Sequence, residues 1–158
     1  TLLIITQYFV GFTMTTKNEE FQERLKASLK KANETLILKE KIESDISSIL
    51  SMLKGITSDS IDFDIFQNSS KIPKYKDCKK IVRIKKNSSM AYPKGFILFG
   101  FSINESTGYP VQVETEDEAA ECTDVDNLKE SIVYIIEKRS IEIMKLISEQ
   151  QEDDDIPF

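Results

Sequence analysis

Apolar residues recur at three- and four-residue spacing between residues 17 and 54, and this period constrains the fold more than any other feature. Polar and charged residues fill the positions between them, so the pattern predicts one long amphipathic helix with Gly55 at its C-terminal end. Such a stripe is typical of a helix packed in a core or against a helical partner. A coiled-coil dimer is an alternative, although Lys39 interrupts the stripe and the heptads are few. The stripe consists of Phe21, Leu25, Leu29, Ala32, Leu36, Ile42, Ile46, Ile49, Leu50 and Leu53.

The middle of the chain changes to a period of two, which is typical of strands. In the segment IDFDIF, Ile61, Phe63 and Ile65 fall on one face and two aspartates on the other. The segment GFILFGFSI is the most apolar and is expected to form the central strand. Pro110 stands at the start of the next strand, where its missing N–H is tolerated. We predict strands at 61–66, 79–86, 95–103, 109–114 and 119–123.

A second helix is predicted after the strands. Asp124 or Asp126 can cap its N-terminus, and the residues that follow have helical spacing. The order of elements predicts an α+β fold of two layers. It comprises a long N-terminal helix, an antiparallel β-meander of about four to five strands, a C-terminal helix and a disordered acidic tail. The apolar face of the second helix is formed by Leu128, Ile132, Ile135, Ile136, Ile143, Leu146 and Ile147.

The domain organisation follows from the same patterns. Residues 1–16 are an uncertain N-terminal extension: the opening TLLIITQYFVGFT is apolar but shorter than the roughly 20 residues that span a bilayer. A polar opening begins at Met14, so the residues before it are interpreted as a mis-start or a fragment edge. An edge strand is the alternative for them. We predict a single α+β domain at 17–148 and a flexible interaction tail at 149–158.

The residues required by several classes of chemistry are missing. The chain contains no histidine, which argues against Ser-His or Cys-His nucleophiles and against a zinc site. Cys78 and Cys122 have no metal-ligand spacing and are interpreted as reduced, structural residues. Asp62 and Asp64 share a strand face, where two carboxylates could bind a divalent ion, but the sequence supplies no third ligand near them. We expect a cytoplasmic protein that is not an enzyme and that uses no metal or cofactor.

The segment KIPKYKDCKKIVRIKK, residues 71–86, is strongly basic and contains one aromatic residue. On a strand, Arg83 and Lys85 project from the face opposite Val82 and Ile84. Cations that follow phosphates, beside a ring that stacks on bases, suit single-stranded nucleic acid. The alternative is that the lysines protect an edge strand from pairing with another chain. The candidate DNA-binding residues are Lys74, Tyr75, Lys79, Lys80, Arg83, Lys85 and Lys86.

The acidity of the chain is concentrated in its last residues. The formal net charge is −6, and residues 149–158 hold five acidic residues and no basic one, which leaves −1 for residues 1–148. Clustered acids repel one another and oppose the negative end of a preceding helix. Pro157 restricts Ile156 to extended conformations. We therefore expect an extended arm that a partner protein captures, with Phe158 in an apolar pocket and its carboxylate on a cation.

The last six residues, DDDIPF, resemble the acidic tail tip of the bacterial single-stranded DNA-binding protein family. Six specified positions match by chance at a frequency on the order of 10⁻⁸ for average composition. In that family the tip recruits exonucleases, helicases, primosomal proteins and recombination mediators to single-stranded DNA, so the resemblance implies partners of this kind. The rest of the chain departs from the family, whose members have an OB-fold with DNA-stacking tryptophans, whereas this chain has no Trp. The resemblance is carried by Asp153, Asp154, Asp155, Ile156, Pro157 and Phe158.

Three function classes follow from these observations. The favoured one is an accessory protein of bacterial or phage single-stranded DNA metabolism, in replication, recombination or repair, which docks enzymes with its tail and contacts single-stranded DNA with its body. The second is a phage or mobile-element inhibitor that uses the tail as a decoy for host enzymes. The third, an enzyme localised by its tail, is disfavoured by the missing catalytic motifs.

Overall fold

The computed structural model describes the backbone of residues 2–149 and the side chains of residues 16–149. Residues 150–158, which hold most of the predicted interaction tail, lie outside the described residues. The elements, in chain order, are α1 (Leu2–Ile56), β1 (Ile61–Gln67), β2 (Lys80–Lys86), β3 (Gly95–Asn104), β4 (Gly108–Glu114), β5 (Ala119–Cys122), α2 (Val125–Lys138) and α3 (Ser140–Ser148).

The predicted α+β class is confirmed. The long N-terminal helix is followed by a five-stranded antiparallel sheet in the order β1-β2-β3-β4-β5 and then by helices. The most apolar segment forms β3 at the centre of the sheet, as predicted. Its four consecutive residues Leu98–Phe101 are all buried. Because successive side chains of a strand point to opposite faces, this run shows that both faces of the sheet are covered at β3.

α1 begins earlier than predicted, at Leu2 rather than near residue 17. The alternative prediction of an edge strand for the opening residues is therefore wrong. The residues at the start of the chain favour strands, but strand propensity depends strongly on context, and here the residues continue the helix that follows them. Whether the residues before Met14 belong to the native protein stays a prediction.

The chain divides into two units, the first ending at Leu38 and the second beginning at Lys39. The first is helical, and every side chain from Thr16 to Glu34 is exposed. The second contains the last turns of α1, the sheet and the two C-terminal helices. The apolar stripe of α1 is therefore exposed in the first unit and buried in the second. The prediction of a single domain from residue 17 did not include this difference. In the second unit its members Ile42, Ile46 and Leu50 are completely buried or nearly so.

The single C-terminal helix predicted from the sequence is two helices, α2 and α3, separated at Arg139. The backbone of Arg139 leaves helical geometry, with φ −102° and ψ 12°. Its guanidinium is held by Glu142, with an Nε–Oε2 distance of 2.8 Å, and lies 4.7 Å from the ring centroid of Phe96. It also donates to the carbonyl oxygen of Ile97 at 3.4 Å. At the other end of α2, Asp124 is the N-cap and accepts a hydrogen bond from the amide of Asn127 at 2.8 Å.

The core of the second unit is built from side chains of all its elements. The described core residues lie between Ile42 and Leu146, and both cysteines are buried among them as free thiols. Among the described helices, none combines the length and apolar composition that crossing a bilayer requires.

Candidate nucleic-acid interface and tail attachment

The loop between β1 and β2 carries the first half of the basic segment and is held by one buried amide. The Asn68 side chain donates to the carbonyl oxygens of Tyr75 at 2.8 Å and Cys78 at 3.0 Å. Its oxygen accepts a hydrogen bond from the amide of Ile72 at 3.0 Å. These three bonds satisfy backbone groups that the loop would otherwise bury unpaired. The loop is therefore folded onto the sheet, and its lysines have defined positions.

Tyr75, the only aromatic residue in the basic segment, is buried in this loop, with 2% of its surface exposed. Its ring packs with Cys78 and Ile81 against the sheet at Gly100. A Cβ at Gly100 would lie 2.7 Å from the Cys78 sulfur, so only glycine leaves room for this cluster. Burial raises the pKa of the Tyr75 hydroxyl. The geometry gives no support to the predicted stacking of Tyr75 on a nucleic-acid base, because its ring faces the core.

Cys78, beside Tyr75, is a structural thiol. Burial, together with the nearby carboxylate of Glu114, raises its pKa to about 12. Its sulfur lies 3.5 Å from a Glu114 oxygen, to which the thiol donates. Because the thiolate is the reactive form, this residue is chemically inert at neutral pH, in agreement with its predicted structural role.

The two lysines of the loop that were predicted to contact DNA are each paired with an acid. The ammonium of Lys79 lies 2.6 Å from the carboxylate of Glu105. The same carboxylate accepts a hydrogen bond from the ammonium of Lys39 at 2.9 Å. Hydrogen bonds from Lys79 and then Lys39 lower the pKa of Glu105 to about 2, so its carboxylate is charged at any physiological pH. Lys74 is 3.5 Å from Glu116. The lysines of the loop therefore lie beside anions supplied by the turns after β3 and β4.

The cations of β2 also have partners within the protein. Lys80 is paired with Glu43 of α1, and Lys85 lies 3.0 Å from Asp64 on the neighbouring strand β1. Arg83 donates to the carbonyl oxygen of Pro93 at 2.9 Å. The strand lies between β1 and β3 rather than at an edge, so the alternative prediction of edge protection is wrong. Two of its lysines, Lys80 and Lys85, are instead bound in cross-element ion pairs.

The remaining candidate, Lys86, marks the place where the acidic tail begins. Its ammonium donates to the backbone carbonyl of Glu149, the last described residue. The Glu149 carboxylate is 3.9 Å from Lys94. The root of the tail is therefore attached to the end of the basic strand.

The acidic partners are the residues that the sequence analysis missed. Glu43, Glu105 and Glu116 are separated from their lysines by between 26 and 42 residues, and no sequence pattern links them. Asp62 and Asp64, considered as metal ligands, are bound to Lys54 and Lys85 instead. Within the described part of the chain, no group of three possible ligands is arranged for a metal ion.

No protein-family model, curated protein or solved structure matches this chain.

Proposed function

We propose that this protein is an accessory factor of bacterial or phage single-stranded DNA metabolism, acting in the cytoplasm in replication, recombination or repair. It docks onto genome-maintenance enzymes through residues 153–158. The observation that carries the proposal is the ordered ending DDDIPF, which resembles the tip by which the bacterial single-stranded DNA-binding protein family recruits exonucleases, helicases, primosomal proteins and recombination mediators.

The chemistry of the tip supports docking on a protein. Pro157 favours an extended backbone at Ile156, which presents two apolar side chains in a fixed order. The three aspartates before them attract a basic surface and accelerate encounter with it. The described core is assembled from residues between Ile42 and Leu146, and α3 ends at Ser148. The sequence of the tip therefore supports docking onto the basic, apolar surface of a partner protein.

An inhibitor that uses the tip as a decoy is the second candidate, and the ion pairs of the body favour it. Phosphates would have to displace acidic residues from Lys74, Lys79, Lys80 and Lys85 in order to bind there. Surface pairs of this type are individually weak, at about 0–1 kcal/mol, but together they offset the charge of four of the six candidate cations, while Arg83 and Lys86 donate to neutral carbonyls. A body without affinity for DNA, joined to a tip that occupies repair or recombination enzymes, is an inhibitor rather than a recruiter.

Displacement of a labelled DDDIPF peptide from a purified tip-binding exonuclease or helicase tests the docking function. The intact chain is expected to displace the peptide, whereas a chain ending at Glu149 is expected not to. Fluorescence anisotropy of the peptide provides the measurement. The truncated chain retains every described element and is the matched control. Equal displacement by the two chains would assign binding to the body and remove the basis of the proposal.

Binding of a labelled single-stranded oligonucleotide separates the two candidates. An inhibitor whose candidate cations are internally paired is expected to show no measurable binding at physiological salt of about 0.15 M, whereas an accessory factor that holds DNA is expected to bind with a strong salt dependence. In the inhibitor, replacing Lys80, Arg83 and Lys85 by Glu is expected to change low-salt binding little, once melting curves show that the variant is folded. Tight, salt-dependent binding that this substitution abolishes would instead establish the recruiter that holds DNA.

A further inference from the structure

The strand β5 forms an edge of the sheet and is open along one side. Among the described strands it pairs with β4 alone, and three of its four residues, Ala119, Ala120 and Glu121, are exposed. Edge strands are commonly protected by lysine, proline or a bulge, because their free backbone groups can pair with another chain. β5 contains neither lysine nor proline, and it pairs with β4 without a register shift. This edge of the described sheet can therefore accept a further strand.

The hairpin between β4 and β5 determines which backbone groups of β5 are free. The amide of Thr115 donates to the carbonyl oxygen of Glu118 at 2.8 Å and closes the turn. In an antiparallel pair of strands, hydrogen-bonded positions alternate with positions that are not bonded across the ladder, so Ala120 is the next residue of β5 that is bonded to β4. The N–H and C=O groups of Ala119 and Glu121 consequently point away from β4, toward the open edge.

A groove of about 270 Å³ lies between β5 and α2. Ala120 and Cys122 share the strand face that α2 covers, since the Cys122 thiol donates to the Ser131 hydroxyl of α2 at 3.4 Å. Cys122 is completely buried whereas Ala120 is exposed, so the groove opens beside Ala120. The walls of the groove include Tyr134 and Ile135 of α2. In a strand added beside β5, the residue opposite Ala120 would direct its side chain into this groove.

The charged residues at this groove are acidic. Glu118 and Glu130 line it, and Glu121 is exposed on the open strand. The carboxylate of Glu118 is paired with the ammonium of Lys138 at 2.9 Å. Within the described residues, neither Glu121 nor Glu130 forms an ion pair. A segment that adds to β5 therefore meets two carboxylates without a cationic partner, which favours basic side chains in that segment.

We infer that β5 and α2 bind an extended, basic segment of a partner protein. The segment adds to the sheet through backbone hydrogen bonds with Ala119 and Glu121, and an apolar side chain enters the groove beside Ala120. A basic residue opposite Glu121 contacts that carboxylate, and a basic residue on the groove face contacts Glu130. Main-chain bonds hold the segment, while the groove and the two carboxylates select its side chains.

The same charges argue against two other occupants of the groove. The tail of this chain, with five acids in residues 149–158, would be repelled by Glu121 and Glu130. A second copy that paired through its own β5 would bring the same carboxylates to the shared edge, where like charges are unfavourable. The groove is also separate from the tail tip, so its ligand does not depend on the enzyme that the tip binds.

Selection of phage-displayed random octapeptides on the intact chain tests the groove. Enriched peptides are expected to be basic and to alternate with apolar residues, and fluorescence anisotropy of the most enriched peptide gives its affinity. Glu130→Lys is expected to weaken that affinity about tenfold or more, because an attraction becomes a repulsion. Glu40→Lys is the matched control, since it makes the same charge change at an exposed site of α1 and is expected to bind like the parent. Enrichment of acidic peptides, no enrichment, or equal weakening by the two substitutions would overturn the inference.

Ala119→Pro tests the addition of a strand. It removes an N–H that points away from β4, and proline is tolerated at the first residue of an edge strand. The affinity for the enriched peptide is expected to fall about fivefold or more, because one hydrogen bond to the ligand is lost. Circular dichroism verifies that the variant is folded. Methylation of alternate backbone amides of the peptide makes the same test with the protein unchanged, and a methylated peptide that binds as tightly as the parent peptide would overturn strand addition.

Discussion

Replacing Phe158 by Ala is expected to lower the affinity of the protein for a tip-binding enzyme about 30-fold or more. Aromatic anchors dominate small interfaces, and the loss of one costs on the order of 2 kcal/mol or more. The tip offers only two large apolar side chains, Ile156 and Phe158, so there is little else to compensate for the ring. Titration of the labelled DDDIPF peptide complex with each protein gives the two affinities.

Gln151→Ala supplies the control for this substitution, because residue 151 lies in the tail but outside the tip. Its affinity is expected to equal that of the parent. The melting temperatures of both variants are expected to match the parent, because the proposed role of the tip is to contact a partner protein rather than the body. A Phe158→Ala protein that competes as well as the parent would mean that the partner reads only the acidic charge.

The fold could be predicted from the sequence wherever periodicity reported burial directly. The five predicted strands correspond to the five strands of the described sheet, and the apolar composition of residues 95–103 identified the central one. The stripe of α1 identified a helix but not its surroundings. Phe21 and Ile46 occupy equivalent positions in the pattern, yet one is exposed and the other buried. An apolar stripe predicts that one face of the helix is buried, but it does not indicate whether the burying surface belongs to the same chain.

The break between α2 and α3 had no local signal because its causes are tertiary. Arg139 is an ordinary helix-forming residue, and neither proline nor glycine stands near it. Its side chain contacts Phe96 and the Ile97 carbonyl on β3, more than 40 residues earlier in the chain. The helical spacing of apolar residues therefore continues past Arg139, although the backbone leaves helical geometry at this residue, whose side chain contacts the sheet.

The sequence identified the cations of the candidate site but not the acids that pair with four of them. Among the acids that pair with the candidate cations, only Asp64 lies in the strand next to β2; it binds Lys85 diagonally, although the register places Asp64 opposite Arg83 and Asp62 opposite Lys85. Glu43 and Glu105 approach their lysines through the packing of α1 and the turn after β3. Tyr75 was assigned to stacking on composition alone, whereas Asn68 folds its loop so that the ring enters the core. The burial of this aromatic residue therefore depends on hydrogen bonds that close its own loop, which the composition of the segment does not reveal.

Adding one glycine after Phe158 is expected to weaken binding to the tip-binding enzyme about as strongly as removing the ring. In the proposed docking mode, the extension leaves the aromatic side chain in place but moves the carboxylate by about 3.5 Å from the position where a partner's cation would bind it. It also places a neutral amide in a charged site, which leaves the partner's cation without its anion. The substitution Asp153→Asn provides the contrast. A charge at the rim of an interface acts mainly through the association rate and its salt dependence, so the equilibrium affinity at high salt is expected to change little. Stopped-flow binding at two salt concentrations separates these effects. An extended chain that binds as tightly as one ending at Phe158 would show that the carboxylate is not recognised, and the tip would then dock through its side chains alone, wherever it stood in a chain.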